Sequence, residues 1–436
     1  MQPGRTEVQN REQETRARTT KPGTRNWKLE TAFPEMTVMQ KKNSNWMLFA
    51  LLTVIGFATF FHGAFGESPG RAWQAYLINF LLWSAIAQGG LLFSVVMTTV
   101  RARWAGPLEG LSQAFAAFFP VSFVLFLFLF AGSSHVFPWV HDHHLHGKEV
   151  WLNVPFLFAR DCIGLIVLYL LGLAYVYHAL LLKIGSAGGA CGFLRSFLKR
   201  LKGDGPADME RVAARMRAIS VAYILAYALV LSLVGYDLVM AADPHWVSTL
   251  FGPYTFVKAF YVGLGGLIIF ASVMHLNPES GFRLAESQFH DMGKLFLAFC
   301  LVWADFFYVQ LVVIWYGNIP EETAYVIERT MAVPWRTVAW TVLIACFVAP
   351  FFILLNRKIK TMPRFMIVTC SVTIAGIWLE HLLLLGSPLS HSSRSLPLGI
   401  SDVVISLGFL GLMLMAVAYF LREFPELACV EGKGAH

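Results

Sequence analysis

Residues 154–182 read VPFLFARDCIGLIVLYLLGLAYVYHALLL. A helix needs about 20 apolar residues to cross a bilayer, and this run is longer, interrupted by one charged pair, Arg160–Asp161. In lipid the backbone polar groups are satisfied only inside helices or closed barrels, and a run this long is a helix. Worked outward, the same test selects ten segments, near 46–65, 73–99, 111–132, 154–182, 219–241, 250–276, 295–316, 337–355, 365–386 and 400–421. The expected fold is an all-α integral membrane protein. Residues 1–45 form a polar arm, 46–421 a ten-helix membrane domain and 422–436 a short tail.

Composition agrees. The chain is 56% hydrophobic and only 14% charged, far below the roughly 25% charged residues of soluble domains. Abundant phenylalanine and tryptophan suit a lipid-facing surface with interfacial aromatics. The net charge of +7 does not point to nucleic acid, because the cations sit between the hydrophobic runs. Lys41, Lys42, Arg101, Arg103, Arg195, Lys199, Arg200, Lys202, Arg211, Arg215, Arg217, Arg283, Lys294, Arg357, Lys358, Lys360 and Arg364 fall on one side. The alternate connections hold only Arg71, Lys148, Arg329, Arg336 and Arg394. The positive-inside rule then places both termini in the cytoplasm. The arm MQPGRTEVQNREQETRARTTKPGTRNWK has no apolar core of a signal peptide and reads as solvated.

Six cysteines are scattered singly, with no CxxC or CxxCH spacing. The expectation is that this chain supplies no iron–sulfur cluster, c-type haem or zinc ribbon. One outer connection carries His135, His141, His143, His144 and His146. Imidazole is a common metal ligand, but the spacing fits no defined site, and a structural or interface role is expected.

Ionisable residues inside a membrane are costly and mark function by default. Here they gather in the outer half: Arg160 and Asp161 in helix four, Asp237 in helix five, Lys258 in helix six, Asp305 in helix seven, Glu380 and His381 in helix nine, Asp402 opening helix ten. Such clustering suits a polar cavity, a quinone headgroup site or a proton half-channel. The plainer alternative is that these groups pair and lock helices together. Tyr254, Lys258 and Tyr261 share a face by i, i+4 and i+3 spacing. Lys258 and Asp305 lie at similar depth on consecutive helices, and an ion pair between them is expected. Glu380 and His381 are about 100° apart around their helix and cannot point the same way.

Two stretches carry a resemblance: YDLVMAADPHWVSTLFGPYTF, residues 236–256, and FHDMGKLFLAFCLVWADFFYVQLVVIWYGNIPEET, residues 289–323. They resemble the polysulfide-reductase-type (NrfD/PsrC) membrane subunits, in particular the ActF type of alternative complex III, a bacterial quinol:electron-acceptor oxidoreductase. The resemblance implies two four-helix bundles, helices two to five and six to nine, with two flanking helices. It implies no cofactor in this chain, with quinol or menaquinol as the substrate of the complex. The implied partners are a paralogous NrfD-type subunit, an iron–sulfur protein and multihaem cytochrome c subunits, which carry the iron–sulfur clusters and haem c. Asp243, His245 and Trp246 match the first motif together with Asp237. His290, Asp291, Lys294, Trp315, Tyr316, Asn318, Glu321 and Glu322 match the second. Lys258 and Asp305 stand where that family usually has uncharged residues.

On this reading the chain handles protons in the bacterial cytoplasmic membrane and anchors redox subunits on the outer face. Asp161, Asp237, Asp305 and Glu380 would carry protons, Lys258 and Arg160 would tune them, and His381 is a further candidate. Two alternatives are a secondary transporter or channel, and a b-type cytochrome using His62, His178, His275 and His381.

Overall fold

The computed structural model describes residues 43–66, 68–141, 147–184, 192–202, 208–244, 246–389, 396 and 398–428. Ten helices are long and apolar enough to span a membrane, and no strand occurs among the described residues. They are α1 (Asn45–Ala64), α2 (Pro69–Thr99), α3 (Gly106–Val136), α4 (Val154–Lys183), α5 (Met209–Ala242), α6 (Phe251–Leu276), α7 (Glu286–Gly317), α8 (Trp335–Leu355), α9 (Pro363–Gly386) and α10 (Ile400–Glu423). The protein is an all-α integral membrane protein.

Several helices outrun their apolar cores. Helix α5 starts ten residues before the expected 219, because Asp208 caps the amides of Glu210 and Arg211. The intervening MERVAARMRA is built of strong helix formers. Helix α7 starts at Glu286, where the Gln288 side chain accepts a bond from the Ala285 amide, and it ends on Asn318 in the left-handed conformation. Two shorter helices, Phe193–Lys202 and Pro320–Thr330, lie in connections where hydrophobic length alone gives no signal.

Successive spans alternate in direction. Arg71 at the start of α2 bonds Asp402 at the start of α10, at 2.9 Å. Leu427, just after α10, lies against Gly110 near the start of α3. There is thus a termini face, where α1 begins and α10 ends, and a far face. The stretch 422–428 is docked on the termini face, with Glu426 bonded to the buried Arg195.

Glycines set the helix packing. A Cβ on Gly263 of α6 would lie 2.3 Å from the backbone of Gly89 in α2, so the two bundles meet at a near-contact of backbones. A Cβ on Gly56 of α1 would lie 2.4 Å from Gly408 of α10, which joins the two flanking helices to each other. Small residues permit this approach where lipid gives no hydrophobic drive to associate.

Two spans deviate from regular α geometry next to a proline. Helix α3 passes through a 3-10 turn at Phe115–Phe118 before Pro120, and α8 contains a π segment at Ile344–Val348 before Pro350. Pro350 has no N–H to give the carbonyl four residues back. That carbonyl, of Cys346, instead accepts the Tyr261 hydroxyl at 3.0 Å and the Cys300 thiol at 3.5 Å.

Candidate functional site

Each bundle holds one buried charged centre near the far face. In the first bundle Asp161 lies seven residues into α4, about 10 Å below the helix end at 1.5 Å per residue. In the second, Lys258 lies equally deep in α6.

The first centre is built on Asp237 of α5. Arg160 grips it with both arms, Nε to Oδ2 and Nη2 to Oδ1, each at 2.6 Å. The Trp151 indole donates to Oδ1 at 3.0 Å, and the Arg160 guanidinium stacks on the same ring, 3.9 Å from its centroid. Arg160 also donates to the Trp151 carbonyl, which closes the ring of contacts. Asp161 lies within electrostatic reach of Asp237 and Arg160. Its side chain is fully buried, and neither oxygen has a hydrogen-bond donor. A proton held between Asp161 and Asp237 would supply the missing donor.

Below Asp161, the same bundle contains two hydroxyl clusters. Tyr169 bonds Gln88 at 3.0 Å and Ser122 at 2.8 Å, and Ser122 bonds Ser84 at 2.5 Å. Six residues further along α4, about 9 Å lower, Tyr175 bonds Ser94 and Thr98, each at 2.7 Å. Gln113 donates to Ser94 at 3.1 Å, and Glu109 and Lys183 follow toward the termini face. The acceptor oxygens of Gln88 and Gln113 are buried and unused. These clusters were not among the sequence candidates, since Ser, Tyr and Gln in apolar runs carry no charge to mark them.

The second centre is built on Glu380 of α9. Its Oε1 accepts from Lys258 at 2.8 Å and from the Tyr254 hydroxyl at 2.6 Å, and its Oε2 from the Trp303 indole at 3.2 Å. All four side chains are buried. His381 is also buried, points elsewhere as its spacing requires, and its Nδ1 has no partner.

The expected Lys258–Asp305 pair does not form. Trp303 and Asp305 are two positions apart, which is about 200° around a helix. With Trp303 turned to Glu380, Asp305 is turned out of the bundle and is exposed. Lys258 finds its carboxylate on α9 instead.

The motif residues cap the far face. Trp246 stacks on Tyr325 of the Pro320–Thr330 helix, with centroids 3.9 Å apart, and Arg329 lies over the opposite side of that ring at 3.5 Å. Arg329 reaches Asp243 at 3.4 Å. Burial pushes the Tyr325 phenol up to about 12, against the opposing pull of Arg329. Arg329 sits just beyond the second motif stretch and ties its helix to Asp243 of the first. Glu321 and Glu322 occupy the first turn of that helix, where carboxylates complement its dipole. Trp315 and Tyr316 are exposed. At the termini face His290 approaches Asp291 to 4.0 Å, and Lys294 bonds Asp291 at 3.1 Å. His245, His143, His144 and His146 lie outside the described residues.

Of the histidines weighed as haem ligands, His178 uses Nδ1 against the Ala174 carbonyl, His275 accepts the Leu284 amide on Nδ1, and His62 is exposed. Among the described residues, no cluster of three or more His, Cys, Asp or Glu is placed to hold a metal ion. Compared with models of known families the chain matches none, and no curated protein matches it.

Proposed function

We propose that the chain is a cofactor-free membrane subunit of a bacterial quinol:electron-acceptor oxidoreductase of the alternative-complex-III type, handling the protons that quinol oxidation releases. The observation that carries this reading is Asp161. It is a fully buried carboxyl with no donor on either oxygen, beside a second carboxylate already gripped by Arg160. A purely structural position would be served better by an apolar residue of the same size. Asp161 and Asp237 accept a proton from the far face, where a bound quinol would lose it. The hydroxyls around Tyr169 and Tyr175 offer onward donors and acceptors at successive depths. Electrons pass to haem c and iron–sulfur centres on partner subunits, which the far-face cap of Trp246, Tyr325 and Arg329 would help to seat. The cation bias of the connections supports a cytoplasmic termini face, and the proposed complex belongs to the bacterial inner membrane.

The test is gentle detergent purification, followed by optical spectra, mass spectrometry of the co-purifying chains and quinol:acceptor turnover. The expected result is a complex containing c-type haem, an iron–sulfur protein and a paralogous membrane subunit. A colourless chain that purifies alone and moves a solute by itself would overturn the reading. That outcome would favour a secondary transporter, for which the π segment of α8 beside Glu380 is the supporting observation.

A further inference from the structure

The exposed side of α7 sets a different problem from that of α1. Only 17% of the apolar stretch of α7 is buried, against 83% for α2. Helix α1 is covered even less, but its outward residues Met47, Leu48, Leu51, Val54 and Ile55 are apolar and suit lipid. The outward stripe of α7 runs Ala298, Leu301, Asp305 and Tyr308, at helical spacing. Asp305 lies close to the middle of the helix, 12 residues from its Gly317 end, or about 18 Å. No hydrogen bond or ion pair reaches it from any described residue. A carboxylate turned to hydrocarbon at that depth is expensive, and nothing among the described residues offsets it.

We infer that the Ala298–Tyr308 stripe of α7 is the docking surface for a transmembrane helix of a different polypeptide, which presents an arginine or lysine to Asp305. Charge complementarity selects the occupant: lipid tails offer no donor, and a cation neutralises and bonds the carboxylate at once. Inside its apolar runs a second copy of this chain offers no such group. The two Lys or Arg residues inside its apolar runs, Arg160 and Lys258, are engaged with Asp237 and Glu380. Ala298, about two turns below Asp305, leaves room for a close backbone approach. The inference does not depend on the redox reading, because any partner membrane subunit of this chemistry satisfies it.

The test introduces a photoreactive phenylalanine analogue at Leu301 or Tyr308, with Asp305 intact, into the full chain in its native membrane, with Leu51 of α1 as the comparison site. The expected result is cross-linking from both α7 sites to one segment of another polypeptide, which mass spectrometry identifies as membrane-spanning and bearing Arg or Lys. Asp305→Lys then reduces recovery of that partner about tenfold, and replacing the partner's cation by Asp restores it. Cross-links to lipid only, to a second copy of this chain or to a segment without a cation would overturn the inference. So would failure of the charge swap to restore recovery.

Discussion

Lys258 and Glu380 meet at 2.8 Å inside the second bundle, near its far face, with Tyr254 on the same carboxylate oxygen. This pair joins α6 to α9 through a bond that water does not reach. Removing one partner of a buried ion pair leaves the other uncompensated and costs about 3–5 kcal/mol. Lys258→Met and Glu380→Gln are each expected to lower the thermal midpoint of the detergent-solubilised protein. The double variant loses clearly less than the sum of the two, because neither stranded charge remains. Additive losses would show that the two groups do not interact.

Asp161→Asn is expected to behave in the opposite way. The substitution removes a carboxyl that has no donor, so stability holds or rises, while quinol-linked proton transfer falls by about 100-fold, the scale of a lost acid–base group. A stability loss with unchanged proton transfer would make Asp161 structural.

Arg160→Lys tests the geometry of the first centre. A lysine keeps the charge but loses the two-armed grip on Asp237 and the stacking on Trp151. Trp151→Phe keeps the stacking and loses one bond to a charged group, worth about 1.5–3 kcal/mol. Both variants should lower the thermal midpoint, and the combination should fall short of additivity because the two residues share one carboxylate.

Gly263→Val is expected to abolish a folded, monodisperse product in size-exclusion chromatography, because its side chain would meet the backbone of Gly89. Gly106→Ala is the control. It sits at the start of α3 with nothing within 4 Å of the new carbon, and folding should be unaffected.

Much of the fold was legible because hydrophobic length is a local property. The ten spans, their alternating direction and the concentration of charge near the far face each follow from runs of residues read one at a time. Helices α5 and α7 start well before their apolar runs, since capping and helix propensity carry a helix past its apolar core. The acid centres were legible in part: Asp161, Asp237, Lys258 and Glu380 stood out as charges in lipid. Trp151, Tyr254, Trp303 and Arg329, which complete those centres and the far-face cap, were partly or wholly hidden among ordinary aromatics and loop cations.

What the sequence alone determined is therefore a ten-helix membrane protein with charge placed where lipid would reject it. Only the tertiary structure decided which charge meets which. Depth along a helix can be counted from the sequence, and by depth Asp305 is the expected partner of Lys258. Rotation about the helix axis is set by packing, and packing turns Trp303 inward and Asp305 outward. A difference of about 200° separates a buried partner from an exposed carboxylate.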